Sequence, residues 1–150
     1  MKFTAADLAS IDPLEYVRAH PECFVPNGIP NPAVIANQIA GDALVLGATD
    51  VRVFSFGDWW IVSADADWLS IPCKCPASPL DAFSRVLGFP ECQANEMRHE
   101  ILANAYAECV VSVSTTDRFV VSGEVADDHQ IWLERIKGGS ARSVAFRMSG

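Results

Sequence analysis

Cys73-Lys74-Cys75, Cys92 and His99 are the side chains of this chain best suited to chemistry. Thiolates and imidazole match zinc, which takes four such donors in a tetrahedron. The single residue between Cys73 and Cys75 departs from the usual two-residue knuckle and makes a shared tetrahedron harder to close. A lysine between two thiols favours the thiolate, so a redox-active loop is a second use of the same residues. Ordinary loop cysteines are the third. His20 and His129 stand apart, and no serine sits in a Gly-x-Ser-x-Gly elbow, which leaves a nucleophilic hydrolase without support. A second polar set, Gln38 with Asp42 and Asp65 with Asp67, lies on either side of an apolar hairpin.

The elements that must position these groups follow from periodicity. Thr4 and Asp12 suit helix N-caps, and Asp12-Pro13 predicts a short helix reaching about His20. Residues 21–32 hold four prolines and a glycine and read as an ordered loop. From Pro32 to Leu46, Ile35, Ile39, Ala43 and Leu46 recur at helical spacing, with Gln38, Gly41 and Asp42 together on another face. Two period-two runs, Val51–Phe56 and Trp59–Ala64, flank the turn dipeptide Gly57-Asp58. A short helix around Leu80–Leu87 and a longer one over Gln93–Glu108 come next. A second hairpin, Cys109–Ser114 and Arg118–Ser122, follows them. A helix capped by Asp128 and a closing strand over Ser143–Met148 complete the reading. Hairpins separated by helices predict a single α+β domain over residues 1–150. The expected form is a two-layer sandwich, a mainly antiparallel (mixed) sheet covered on one face by helices.

Composition bounds the function. At 150 residues, half of them hydrophobic, the chain is long enough for one ordinary core. Eleven basic residues against 19 acidic ones give a formal charge of −8, which repels phosphate backbones and argues against nucleic-acid binding. No apolar run approaches a membrane span, and Met1-Lys2-Phe3-Thr4 does not open a signal peptide, so a cytoplasmic protein that does not enter membranes is expected. With no secretion signal, the odd count of five cysteines fits free thiols better than a disulfide framework. Phe54, Phe56, Trp59, Trp60 and Trp68 crowd the first hairpin. Core filling is one use of them. An exposed patch for a protein partner or a second subunit, through Trp59 and Trp60, is the other.

Gly47-Ala48-Thr49 leading into Val51-Arg52-Val53, then Val62-Ser63-Ala64-Asp65-Ala66-Asp67-Trp68-Leu69, carry a family resemblance. Arg98-His99-Glu100-Ile101-Leu102-Ala103 before Val110-Val111-Ser112-Val113 extends it. In that order these landmarks resemble the ATP-binding domain of the GHKL superfamily, shared by DNA gyrase, the ninety-kilodalton heat-shock chaperone, sensor histidine kinases and MutL. The resemblance implies a Bergerat-like sandwich and ATP or ADP with magnesium as the ligand. Aligned on Gly47, Gln38 falls at the family's general-base glutamate and Asp42 at its magnesium-ligating asparagine. An amide can orient a water but cannot take its proton, whereas Asp42 keeps an oxygen suited to a hard cation. The adenine-reading aspartate falls at Ala64, with Asp65 and Asp67 as nearby substitutes. The box glycines become Ala66 and Trp68, and a tryptophan fills a pocket sooner than it lines one. The resemblance therefore implies a degenerate member: a non-catalytic binding or regulatory module acting through protein contacts. A weak nucleotide and magnesium binder using Gln38, Asp42, Asp65 and Asp67 is the first alternative. A zinc or redox protein using Cys73, Cys75, Cys92 and His99 is the second. Read without the resemblance, Gln38 and Asp42 form a solvated helix face, and Asp65 and Asp67 cap a turn.

Overall fold

The structure, a computed structural model, describes residues 12–70, 83, 98–115, 118–125 and 140–148. Asp12 caps helix α1 (Pro13–Ala19), its carboxylate accepting from Leu14 N–H at 3.0 Å, with Pro13 at the first helical position. The proline-rich stretch read as loop contains a one-turn helix, α2 (Pro21–Phe24), and a 3₁₀ turn (Pro26–Gly28). Each begins on a proline whose fixed φ suits a first turn and whose missing N–H is no loss there. Asn31 then caps α3 (Pro32–Val45) through the main-chain N–H groups of Ala33 and Val34. The stripe Ile35, Ile39, Ala43 and Leu46 is buried, as its spacing predicts.

Helix α3 ends on Gly47. Ala48 N–H reaches Ala43 C=O at 3.0 Å and Gly47 N–H reaches Leu44 C=O at 3.2 Å, the paired bonds of a Schellman cap. Gly47 sits at φ 110°, which a side chain would resist. Strands β1 (Val51–Phe56) and β2 (Trp59–Ala64) follow, then a 3₁₀ turn (Trp68–Ser70). Helix α4 spans Glu100–Tyr106 and leads into β3 (Cys109–Ser114), β4 (Arg118–Ser122) and β5 (Arg142–Arg147). The long helix expected over 93–108 is thus shorter at its start: Arg98 and His99 lie outside it, and His99 serves as its N-cap position. The helices expected around Leu80–Leu87 and after Asp128 lie outside the described residues, apart from Phe83, which is buried.

The strands form one five-stranded sheet in the order β1-β2-β5-β3-β4, with every adjacent pair antiparallel. Both expected hairpins are present, and the closing strand is inserted between them. The described chain is therefore of the α+β class. Helix α3 packs on β1 and β2, α4 on β3, and α1 on α4. Arg18 ties α1 to the end of α4 by donating to Ala105 C=O at 3.2 Å, where a cation suits the helix dipole. On the helix side, Val62, Ala64, Val110, Val144 and Phe146 join the main core. The opposite face is not simply solvated: Trp59, Ile61, Cys109, Val111, Val113 and Ala145 form a second buried cluster, with Val125 packed against it. Burial on both faces explains why β2 and β3 read as nearly continuous apolar runs.

Gly123, just beyond β4, shows how closely this packing is set. It has φ 78°, and a Cβ there would come within 2.3 Å of Glu108 O and 2.8 Å of Cys109 Cα. Both obstacles are backbone. Gly123→Ala is expected to lower the unfolding free energy by about 2–4 kcal/mol, read from urea titration. An unchanged midpoint would contradict this packing.

Candidate functional site

The groups singled out for chemistry separate into three places. The first is the junction of α3 and α4. Asp42 projects from α3 and is only 3 % exposed, so it does not belong to a solvated helix face. Its carboxylate accepts from the His99 main-chain N–H at 2.7 Å and from His99 Nδ1 at 2.8 Å. Asp42 thereby supplies the start of α4 with the acceptor that a helix N-terminus lacks, and holds the imidazole ring as well. Gln38, one turn earlier on α3, is half-buried, and its Oε1 is buried without a hydrogen-bond partner.

Beside this pair lies a buried charge cluster. Glu100 is fully buried, and its Oε1 accepts from Trp68 Nε1 at 2.8 Å and from Arg98 Nη2 at 3.1 Å. Glu100 Oε2 and Arg98 Nε have no hydrogen-bond partner. Burial pushes the Glu100 carboxyl above its ordinary value; the Arg98 charge opposes the shift and the Asp42 charge adds to it. Trp68 itself is buried in the main core.

The second place is the exit of α3. Asp65 accepts from Thr49 N–H at 2.9 Å and from the Thr49 hydroxyl at 2.5 Å, latching the Schellman cap to the end of β2. The Thr49 hydroxyl and the main-chain N–H groups of Asp50 and Thr49 hold its carboxyl below the usual range. A pocket of about 140 Å³ opens here, lined by Asp50, Arg52, Ser63, Ala64, Asp65 and Ser140. Sites for drug-sized ligands occupy roughly 300–1,000 Å³, so this one is small by comparison.

The third is the base of β5. Asp67 takes a bidentate pair of hydrogen bonds from Arg142 Nε and Nη2, both 2.8 Å, while Arg142 Nη1 donates to Ser112 Oγ at 2.9 Å. The guanidinium also lies 5.8 Å from the centre of the Phe119 ring. Hydropathy alone did not single out Arg142, a cation at a helix-side position of a central strand.

Asp42, Asp65 and Asp67 therefore serve three separate internal contacts. Cys73, Cys75 and Cys92 lie outside the described residues. Among the described residues no group of three or more His, Cys, Asp and Glu side chains is placed to hold a metal ion. Cys23 is exposed and Cys109 buried, both as free thiols, and burial pushes the Cys109 thiol up. Trp59 is buried in the second cluster and Trp60 is half-buried on the helix side, so the exposed aromatics of the first hairpin are Phe54 and Phe56, at 43 % and 61 %. Among the described residues, no helix is long and apolar enough to cross a membrane. No family model, curated protein or solved structure matches this chain.

Proposed function

We propose that this chain is a non-catalytic binding or regulatory module that acts through protein–protein contacts. Its likeness to the GHKL ATP-binding domain, on this reading, is confined to a helix–glycine–hairpin scaffold of Bergerat-like descent. One observation carries the proposal. Each aspartate that the resemblance assigns to nucleotide or magnesium is engaged in holding two elements of the fold together: Asp42 at the start of α4, Asp65 at Thr49, Asp67 at Arg142. A ligand using the same oxygens would have to share them with those contacts. Trp68, at a family glycine position, packs into the core and donates to Glu100.

Thermal unfolding with and without ATP or ADP and magnesium tests this. A ligand at about 100 times its Kd adds roughly 2.7 kcal/mol to the stability of the state that binds it. The expected result is an unchanged Tm at millimolar nucleotide, with well under one zinc per purified chain by elemental analysis. A nucleotide-dependent rise of several degrees would overturn the reading in favour of the weak nucleotide binder. Stoichiometric zinc would favour the cysteine site.

A further inference from the structure

The two edges of the sheet are built differently. Strand β4 meets β3 with a register shift between Val110 and Val111, a bulge of the kind that spoils an edge for further pairing. Strand β1, at the other end, pairs with β2 in unbroken register over all six residues and carries one charge, Arg52, and no proline. Exposed apolar side chains gather beside it: Phe54 and Phe56 on β1, and Leu44 and Val45 on the last turn of α3, which packs on β1. Native edges are normally blunted by lysine, proline, bulges or brevity. This one is not.

We propose that β1 is a self-recognition edge, through which two copies of this chain pair antiparallel about a two-fold axis centred on Val53. The proposal rests on the protein-contact reading above and names the partner. Its register follows from the hairpin. Phe56 faces Trp59 across a two-residue turn, which makes them a hydrogen-bonded pair; by alternation Phe54–Ile61 and Arg52–Ser63 are pairs of the same kind. The Asp65 N–H bond to Asp50 C=O continues that phase. The main-chain groups of Val51, Val53 and Ser55 therefore point away from β2.

Side chains directly opposite each other in a sheet share a face, so a two-fold axis through the edge must centre on a residue. Centred on Val53, it sets Val53 against its counterpart and Val51 against Ser55 on both sides. All three outward-facing residues then pair, for roughly six main-chain hydrogen bonds. On the outer face Arg52 of each copy lies against Phe54 of the other, a cation–π arrangement. Centred one residue later, on Phe54, the axis would face Val51 with the turn and oppose Asp50 with Asp58, two like charges. The Val53-centred register thus pairs every outward-facing residue of β1, keeps the turn out of the ladder and opposes no like charges.

Sedimentation equilibrium from about 1 μM to about 1 mM tests it, a range that brackets the Kd of a small interface. The wild-type chain is expected to dimerise reversibly. Ser55→Pro removes an outward N–H without touching the ladder to β2, and is expected to give monomers. Phe54→Lys sets a lysine against Arg52 and is also expected to dissociate the dimer. Phe54→Glu sets a carboxylate there and is expected to preserve it. Ser55 and Phe54 are both exposed, so melting curves of the variants taken at concentrations where the parent is monomeric should match it. A dimer indifferent to Ser55→Pro and Phe54→Lys would overturn the proposal, as would Phe54→Glu dissociating like Phe54→Lys, the signature of a Phe54-centred axis. A chain monomeric throughout would overturn self-pairing yet leave the protein-contact reading standing. That reading falls separately, on nucleotide-dependent stabilisation.

Discussion

Trp68→Ala is expected to destabilise the protein by about 3–5 kcal/mol, among the largest effects of any single substitution in this chain. Two losses add. The indole is fully buried in the main core, so its removal leaves a cavity that surrounding helix and strand can only partly close. Its N–H is also one of two donors to Glu100 Oε1, and the Glu100 carboxylate already has a second oxygen without a partner. Trp68→Phe separates the terms: most of the packing remains and only the donor is lost, for an expected cost of about 1–3 kcal/mol. Urea titration of both variants gives the comparison. Equal losses would mean that the hydrogen bond, not the cavity, dominates.

The same contact carries a pH dependence with a definite sign. Burial raises the folded-state pKa of Glu100 above its reference of 4.5, so the folded protein binds this proton more tightly than the unfolded chain. The resulting stabilisation is fully present below pH 4.5 and is lost as pH rises through the higher folded-state value. Trp68→Phe removes a bond to the charged form and should steepen that loss. Glu100→Gln should flatten it. Parallel stability–pH curves for the wild type and Glu100→Gln would refute this account of the α3–α4 junction.

Asp67→Ala is the second large effect, at about 2–4 kcal/mol. Breaking a buried pair typically costs about 3–5 kcal/mol, because the surviving charge is stranded; Asp67 keeps some exposure, which reduces the figure. The partner that loses its bidentate acceptor is Arg142, buried in β5 between the two hairpins and still donating to Ser112. The test is a double-mutant cycle. Arg142→Met added to Asp67→Leu should recover much of the lost stability, since a packed apolar pair of similar volume can replace a buried ion pair. If the double variant is no more stable than Asp67→Leu alone, the cost lies in the shape of the turn before Trp68 rather than in the charge that lost its acceptor.

The local elements were legible because their causes are local. Asp12 and Asn31 announce the starts of α1 and α3, and Gly57-Asp58 announces the first hairpin turn. The Gly-Ala-Thr signal has a sufficient local cause as well. Gly47 is required by its positive φ at a Schellman cap, and Thr49 by its bond to Asp65. Those two needs would place the motif there whatever the chain's ancestry. The start of α4 differs from the expected one because apolar spacing does not show where an N-terminus finds its acceptor. That acceptor, Asp42, lies 57 positions earlier in the chain.

What the sequence by itself determined is the set of parts: the apolar stripe of α3, the register of the first hairpin, an α+β class, and a net charge of −8. Only the tertiary structure decided what the polar residues are for. Placing β5 between the hairpins brings Arg142 to Asp67, and landing α4 on α3 turns Asp42 from an apparent solvent-facing carboxylate into a buried cap. The reason is the range of the forces involved. Backbone preference and hydrophobic period act within a few residues and are written locally, whereas a buried charge is tolerated only beside a partner that the whole fold must deliver.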